Sequence, residues 1–403
     1  MSETGNQPNA VVAGHICLDI TPKFSGSVEA GTALSEVIVP GKLINMDGVE
    51  LSSGGAVSNT GIALSVLGIP TSLMGKIGKD PFGDLLKGVV EDFGVGDALN
   101  PVEGTGTSYT VILVPPGIDR IFLHDPGANN TFTAKDVDYD VVSRADLFHF
   151  GYPPIMEKMF QGSGEELAGI FKKVKEAGVT TSLDMALPDI NSPAGKADWP
   201  SILKNVLPHT DIFLPSVEEL FLMLDRKRYI EYVNALKGRD FVEELDMELL
   251  QGLSRMCIGL GAKMVVIKCG HHGLYVKTAS TDALKAMGRA APADTQGWAD
   301  RELFAESFRV DDLLSATGAG DNAVAGFLSG LLRGKTLEGC LETGCAAGAR
   351  ATRSYSALGA TVSLEELEKE YFSSESSGIS KNRAPINAPG WERDDAKGLW
   401  EKK

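Results

Sequence analysis

The chain is predicted to be an α/β protein in which helices cover both faces of a mostly parallel sheet and a small β-sheet stands apart. Three observations lead there. From residue 146 onward, short apolar runs alternate with helix-length segments, and such alternation argues for crossover connections and a parallel sheet. Residues 18–53 break that rhythm with short alternating pieces, many glycines and no convincing helix. Finally, Ser108–Val114 and Arg120–His124 are strand-like runs joined by Pro115-Pro-Gly-Ile-Asp119, whose turn chemistry is that of a hairpin.

In chain order, Asn9–Ile16 reads as a buried strand, and Leu34–Ile44 holds strand-like runs broken by Pro40-Gly41. Ala56–Leu67 is a helix ended by Gly68, and Ser72–Ile77 is the next strand. Asp80-Pro81 is a helix cap with proline at the first helical position, opening Phe82–Phe93. The alternating part then runs through Leu147–Phe150, Glu165–Ala177, Thr180–Asp184, Ile202–Leu207, Asp211–Leu214, Val217–Leu224, Leu249–Leu260 and Met264–Lys268. Thr278–Phe308 is polar and irregular and reads as a surface insertion. Residues 373–403 are poor in apolar side chains and read as a flexible tail, with Trp391 and Trp400 available to dock.

The composition narrows the function classes. The 403 residues suit one large α/β domain plus a smaller element. A net charge of −16 speaks against a broad basic surface for nucleic acid or anionic lipid. Five cysteines, without CxxC or Cys/His spacing, read as reduced buried thiols. No run approaches the roughly 18 apolar residues of a membrane span, and the polar start is no signal peptide. A cytoplasmic protein that touches no membrane is expected.

The chemistry concentrates at Thr317-Gly318-Ala319-Gly320-Asp321, followed by the helix-forming stretch Asn322–Leu332. First-turn N–H groups lack intrahelical partners and the helix dipole adds positive character, so this turn is an anion cradle. A carboxylate on its rim would repel phosphate; it makes sense as a base acting on a hydroxyl while the cradle holds the phosphoryl group under attack. Two other readings fall away. Gly318–Ala323 fits the loose G-x-G-x-x-A fingerprint, but Val310–Ala316 is a poor buried strand to precede it. Gly330–Thr336 falls one residue short of a Walker loop and lies at a helix end, where Gly334 serves better as a cap.

Four further segments complete the pattern: Gly14–Asp19, Ser53-Gly54-Gly55-Ala56-Val57-Ser58-Asn59, Asp211–Glu219 and Val265–Gly273. In this order and spacing the chain resembles the PfkB (ribokinase-like) family of carbohydrate kinases over roughly residues 9–366. The GG-x-x-x-N and GAGD segments carry the resemblance, and their co-occurrence is much more specific than either alone.

The resemblance implies a three-layer α/β sandwich (9–17, 54–106 and 126–372) with a small β lid (18–53 and 107–125). It implies Asp321 as general base and an anion hole at Gly318, Ala319 and Gly320. Asp19, Gly54, Gly55 and Asn59 would bind sugar hydroxyls. Glu219 would organise Mg²⁺ and phosphates indirectly, and Lys268, Gly270, Gly273 and Thr317 would flank ATP. The implied reaction is transfer of the γ-phosphoryl group of ATP to a sugar hydroxymethyl group. A homodimer through the lid is also implied. The chain departs from the family at Ser315-Ala316, where an Asp and a Thr are common, so activation by a monovalent cation is not carried over. Ser216 replaces the Asn of N-x-x-E, Lys268 replaces a frequent Thr, and Ala56 stands where ribokinase has Lys. A nucleoside kinase of the same fold and a sugar-binding regulator with impaired catalysis are the alternatives. His15 is expected to be a satisfied strand-end histidine, His271 and His272 polar turn residues, and Asp80 a cap.

Overall fold

The computed structural model describes residues 7–25, 34–95, 99–115, 120–237, 239–243, 246–373 and 379–403. Most of the hairpin turn expected at 115–119 lies outside these residues.

The strands of the first half are β1 (Ala10–Gly14), β2 (Cys17–Phe24), β3 (Met46–Gly54), β4 (Thr71–Gly78), β5 (Leu99–Val102), β6 (Tyr109–Leu113), β7 (Ile121–Asp125) and β8 (Leu147–Gly151). The second half adds β9 (Thr180–Asp184), β10 (Ile212–Phe213), β11 (Met264–Lys268), β12 (Gly273–Thr278), β13 (Glu302–Glu306), β14 (Trp391–Asp394) and β15 (Leu399–Lys402). The large sheet runs β14-β15-β13-β12-β11-β10-β9-β8-β1-β4-β5. From β5 to β11 every neighbouring pair is parallel; from β11 to β14 every pair is antiparallel. A separate four-stranded sheet, β3-β2-β6-β7, forms the lid.

The central strands are buried on both faces, which explains their unbroken apolar sequence. All five residues of β1, AVVAG, are buried. Its alternate side chains feed two different cores, Ala10 and Val12 in one and Val11 and Ala13 in the other. The first core packs the helices Ala56–Val66, Pro81–Glu91, Ala319–Leu332 and Leu337–Ala351. The second packs Glu165–Glu176, Trp199–Val206, Val217–Leu224 and Met247–Leu260. These are the three expected layers. Asp80 caps Pro81–Glu91 by accepting from Gly83 N at 2.8 Å, as the Asp-Pro pair suggested.

Three expectations need correction. Leu34–Val37 is a single helical turn, and the lid strand starts only at Met46. Within 278–308, β13 is a fully buried strand between β12 and β15, so this stretch is not merely a surface insertion. Its brevity and polar ends hid it. Nor are residues 379–403 loose: β14 and β15 extend the sheet, and Trp391 is buried in the second core.

Ala319–Leu332 is held in place by its crossing with Leu337–Ala351. A methyl group on Gly326 would lie 2.6 Å from Thr343 O, and one on Gly344 would lie 2.9 Å from Ala323 O. Backbone-to-backbone approach of this kind leaves no side chain to move aside. Gly326→Ala is therefore expected to cost about 1–3 kcal/mol of stability through overpacking, read as a lower urea midpoint; an unchanged midpoint would show slack in the crossing.

Candidate active site

The parallel strands deliver functional side chains at their carboxyl ends, where open α/β sheets bind ligands. His15 follows β1, Tyr152 follows β8, Asp184 ends β9, Ser216 lies just beyond β10 and Lys268 ends β11. Opposite them, Gly318 takes a left-handed conformation (φ 73°) and starts the Ala319–Leu332 helix. Ala319 N–H donates to Ala316 O at 3.2 Å. Among the described residues, Gly318, Gly320 and Asp321 N–H have no recorded backbone acceptor at this helix start, whereas Ala319 N–H has one.

Asp321 is 3% exposed and sits in a socket of side-chain donors. Its Oδ1 accepts from Tyr152 Oη at 2.7 Å and from Thr60 Oγ1 at 3.3 Å. Its Oδ2 accepts from Asn59 Nδ2 at 3.0 Å. Burial pushes its pKa above the ordinary carboxylate range, while Tyr152, Lys268, Asn59 and Thr60 pull it back. The result is a carboxylate more basic than usual, held in one orientation. Asn59, expected to meet a sugar hydroxyl, uses one amide donor on the carboxylate.

Lys268 Nζ pairs with Asp184 Oδ1 at 2.5 Å. Burial would lower the Lys268 pKa, but Asp184 and Glu219 hold it above its ordinary value, so the ammonium stays charged. Burial raises Asp184, against the pull of Lys268, and its Oδ2 has no protein partner. Glu219 turns back to its own helix start: its Oε2 accepts from Ser216 N at 2.6 Å, while Ser216 Oγ accepts from Glu219 N at 3.2 Å. Ser216 thus completes a capping box where the family motif has Asn.

On the lid side, Asp19 lies on β2 directly over Gly54; a methyl group there would sit 2.3 Å from Asp19 Oδ2. Burial raises the Asp19 pKa to about 6. Thr110 on β6 meets His124 Nδ1 at 3.0 Å, and the His124 ring lies 5.1 Å from that of His15. His15 is not satisfied as expected. It is 1% exposed, and neither ring nitrogen has a partner. Burial keeps it neutral, with its pKa well below the ordinary histidine value. It also packs against Gly55, whose positive φ of 85° opens the Ala56–Val66 helix. Arg120, at the start of β7, reaches the cradle approach and donates to Ser315 Oγ at 3.2 Å and to Thr317 Oγ1.

Beside the cradle lies a cleft of about 360 Å³. Lys268, Gly270 and Gly273 line it from one side, Ala319, Gly320 and Ala323 from another, and Leu274, Phe308 and Val310 supply an apolar wall. The structure therefore gathers Asp19, Gly54, Gly55, Asn59, Lys268 and Asp321 around one site and puts Gly270 and Gly273 in the adjoining cleft. Thr317 is engaged by Ser315 and Arg120 instead of lining that cleft. Sequence reasoning did not single out Thr60, His124, Tyr152 or Asp184 as site residues, and read His15 only as a satisfied strand end. A tyrosine or aspartate at the carboxyl end of a buried strand was the available signal. Tyr152 carries a second mark, a left-handed backbone (φ 66°), since non-glycine strain of this kind clusters at functional sites.

The pfkB family of carbohydrate kinases matches residues 14–362. An uncharacterised sugar kinase of Archaeoglobus fulgidus is 28% identical over 297 residues, 73% of this chain and 96% of its own length. Fructokinase-2 of Solanum habrochaites is 27% identical over 216 residues, 51% of this chain and 58% of its own. The match thus spans only about half the length of such fructokinases. Among solved structures, Arabidopsis thaliana ribokinase, complexed with ribose and ATP, has a TM-score of 0.67 and 21% identity over 91% of this chain and 99% of its own. An E. coli protein solved with ATP and Mg²⁺ has a TM-score of 0.63 and 20% identity over 90% and 98%. At these identities the structures show the fold alone. The chain belongs to the pfkB family of carbohydrate kinases. These are phosphotransferases with an alcohol acceptor, and the fold is the ribokinase-like three-layer sandwich.

Tyr152→Phe removes one of the donors that lower the Asp321 pKa. The acid limb of the kcat/KM profile should therefore move to higher pH. A limb that stays in place would show that Tyr152 does not act on this carboxylate.

Proposed function

We propose that this protein transfers the γ-phosphoryl group of ATP to a hydroxymethyl group of an uncharged sugar. One observation carries the reading: a buried, donor-held carboxylate, Asp321, stands at a helix start whose Gly320 and Asp321 N–H groups have no backbone acceptor among the described residues. In this reading Asp321 takes the proton of the acceptor hydroxyl, and the raised pKa favours that step. The two N–H groups stabilise the oxygens of the phosphoryl group in flight, a contribution typically of about 3–4 kcal/mol per donor. Asn59, Thr60 and Tyr152 fix the direction of the base.

The residues present fit a nucleotide triphosphate. Its phosphates would meet the cradle and the ammonium of Lys268, and its base the apolar wall formed by Leu274, Phe308 and Val310. They also fit Mg²⁺ in one particular way. No cluster of three or more ligating side chains occurs among the described residues, so a protein cage is not the arrangement. The unpartnered Asp184 Oδ2 and the nearby Glu219 suit a hydrated ion that arrives on the phosphates. When bound, Mg²⁺ supplies charge neutralisation to the transferring group.

For the acceptor, Asp19 offers two oxygens to a vicinal diol, and neutral His15 offers one donor and one acceptor. A phosphosugar is disfavoured because Lys23 pairs with Glu50 at 3.3 Å on the lid surface and Arg120 is engaged at the cradle approach. Closure of the lid over this pocket would exclude water as a competing acceptor.

ADP release from ATP should be measured with a panel of aldoses, ketoses, sugar phosphates and nucleosides. At least one neutral sugar is expected to raise release by about a hundredfold or more over hydrolysis, as a positioned base alone contributes. Stimulation by nucleosides only would move the acceptor class. Failure of every acceptor, with ligand binding still visible as thermal stabilisation, would turn the reading into a binding protein.

A further inference from the structure

The family match ends at residue 362, yet the 379–403 segment contributes Asn382 to the wall of the cleft beside the cradle. The segment's anchor is Glu306, a fully buried carboxylate at the end of β13. Its Oε1 accepts from Ala384 N at 3.1 Å, Arg393 Nε at 3.0 Å and Trp400 Nε1 at 2.9 Å, and its Oε2 accepts from Arg393 Nη2 at 2.7 Å. Four donors from one segment thus converge on one side chain. The three residues after Glu306 carry the segment to the cleft. Asn382 N donates to Ser307 O and Arg309 N donates to Ser380 O, each at 2.8 Å. Between them, Lys381 Nζ lies 3.6 Å from the centre of the Phe308 ring. Ser307, Phe308, Arg309 and Asn382 all line the cleft.

Asn382 is oriented without ambiguity. Its Nδ2 lies 3.2 Å from His271 O and 3.2 Å from Ser307 Oγ. A carbonyl oxygen can only accept, so the nitrogen must face His271. Both amide hydrogens are then committed to protein oxygens. The Oδ1 is left as an acceptor on a cleft-lining side chain, with no recorded partner among the described residues.

We infer that the 379–403 segment is a working part of the nucleotide site, and that Asn382 Oδ1 accepts a hydrogen bond from a nucleoside donor group of the bound nucleotide. The inference rests on the cleft being the nucleotide's, as proposed above. It gives the C-terminal segment a function that the family's matched region does not contain. The donor group is either the exocyclic amine of the base or a ribose hydroxyl. In either case Asn382 tunes nucleotide binding and leaves the acceptor pocket untouched.

The test uses the full chain and binding of ATP, ITP and 2′- and 3′-deoxy-ATP, with amide hydrogen exchange as a second readout. Asn382→Leu should weaken ATP roughly five- to tenfold, the usual consequence of one lost hydrogen bond, with acceptor KM unchanged. If the amine is the donor, ITP should already be weak for the unsubstituted protein and indifferent to the substitution. If a ribose hydroxyl is the donor, the matching deoxynucleotide should behave that way. Arg393→Lys, remote from the cleft, should loosen the anchor and weaken ATP in the same direction. ATP should also slow exchange across residues 380–384. Equal ATP affinity in both variants with no added protection would overturn the inference. Absence of ATP binding to the unsubstituted chain would instead overturn the nucleotide reading itself.

Discussion

The burial of the Asp321 carboxylate is the constraint around which the site is arranged. An ionised carboxylate taken out of water costs several kcal/mol unless donors replace its hydration. Here the replacements come from far along the chain: Asn59 and Thr60 on the first turns of the Ala56–Val66 helix and Tyr152 just past β8. Each partner imposes a local requirement. Gly55 must adopt φ 85° to start its helix against His15, Tyr152 must accept a left-handed backbone, and Gly318 must turn the chain at φ 73°. The glycine-lined crossing with Leu337–Ala351 then prevents the carboxylate from drifting. The fold's rigidity is thus concentrated where one acidic group has to be both buried and aimed.

The electrostatics explain why such a site suits a phosphoryl donor carrying a divalent ion. Asp184, Glu219 and Asp321 all act on Lys268, and Asp321 helps raise the proton affinity of Asp19. Triphosphate alone would enter an acidic cleft with one ammonium and a few N–H donors to receive it. In the proposed reading a hydrated cation brought in on the phosphates would reconcile the two sets of negative charge, and Asp184, with one oxygen unpartnered, would meet it. Burial is what raises the Asp321 pKa within this cluster.

What could be read from the sequence was local. The Gly318–Asp321 turn, the alternation of strands and helices and the Asp80 cap are patterns within a dozen residues, and each has a direct structural counterpart. The partners of those residues were not legible, because Asp321 meets Tyr152 across 169 positions and Lys268 meets Asp184 across 84. No periodicity encodes such a meeting. The C-terminal strands were missed for a related reason. Trp391–Asp394 and Leu399–Lys402 are short and largely polar, and the β13 strand and Glu306 that hold them lie nearly a hundred residues earlier. Read alone, they look like solvated tail. His15 was misjudged because a buried strand-end histidine is ordinarily satisfied, whereas neither ring nitrogen of this one has a partner.

The central claim, that Asp321 takes the proton in the transfer step, is tested most directly by the single-turnover rate of phosphoryl transfer in Asp321→Asn. Asparagine keeps the shape of the socket and removes the base. The account predicts a rate lower by about 10²–10⁴-fold, with nucleotide and acceptor affinities changed only a few-fold. A rate within tenfold of the unsubstituted protein would contradict it.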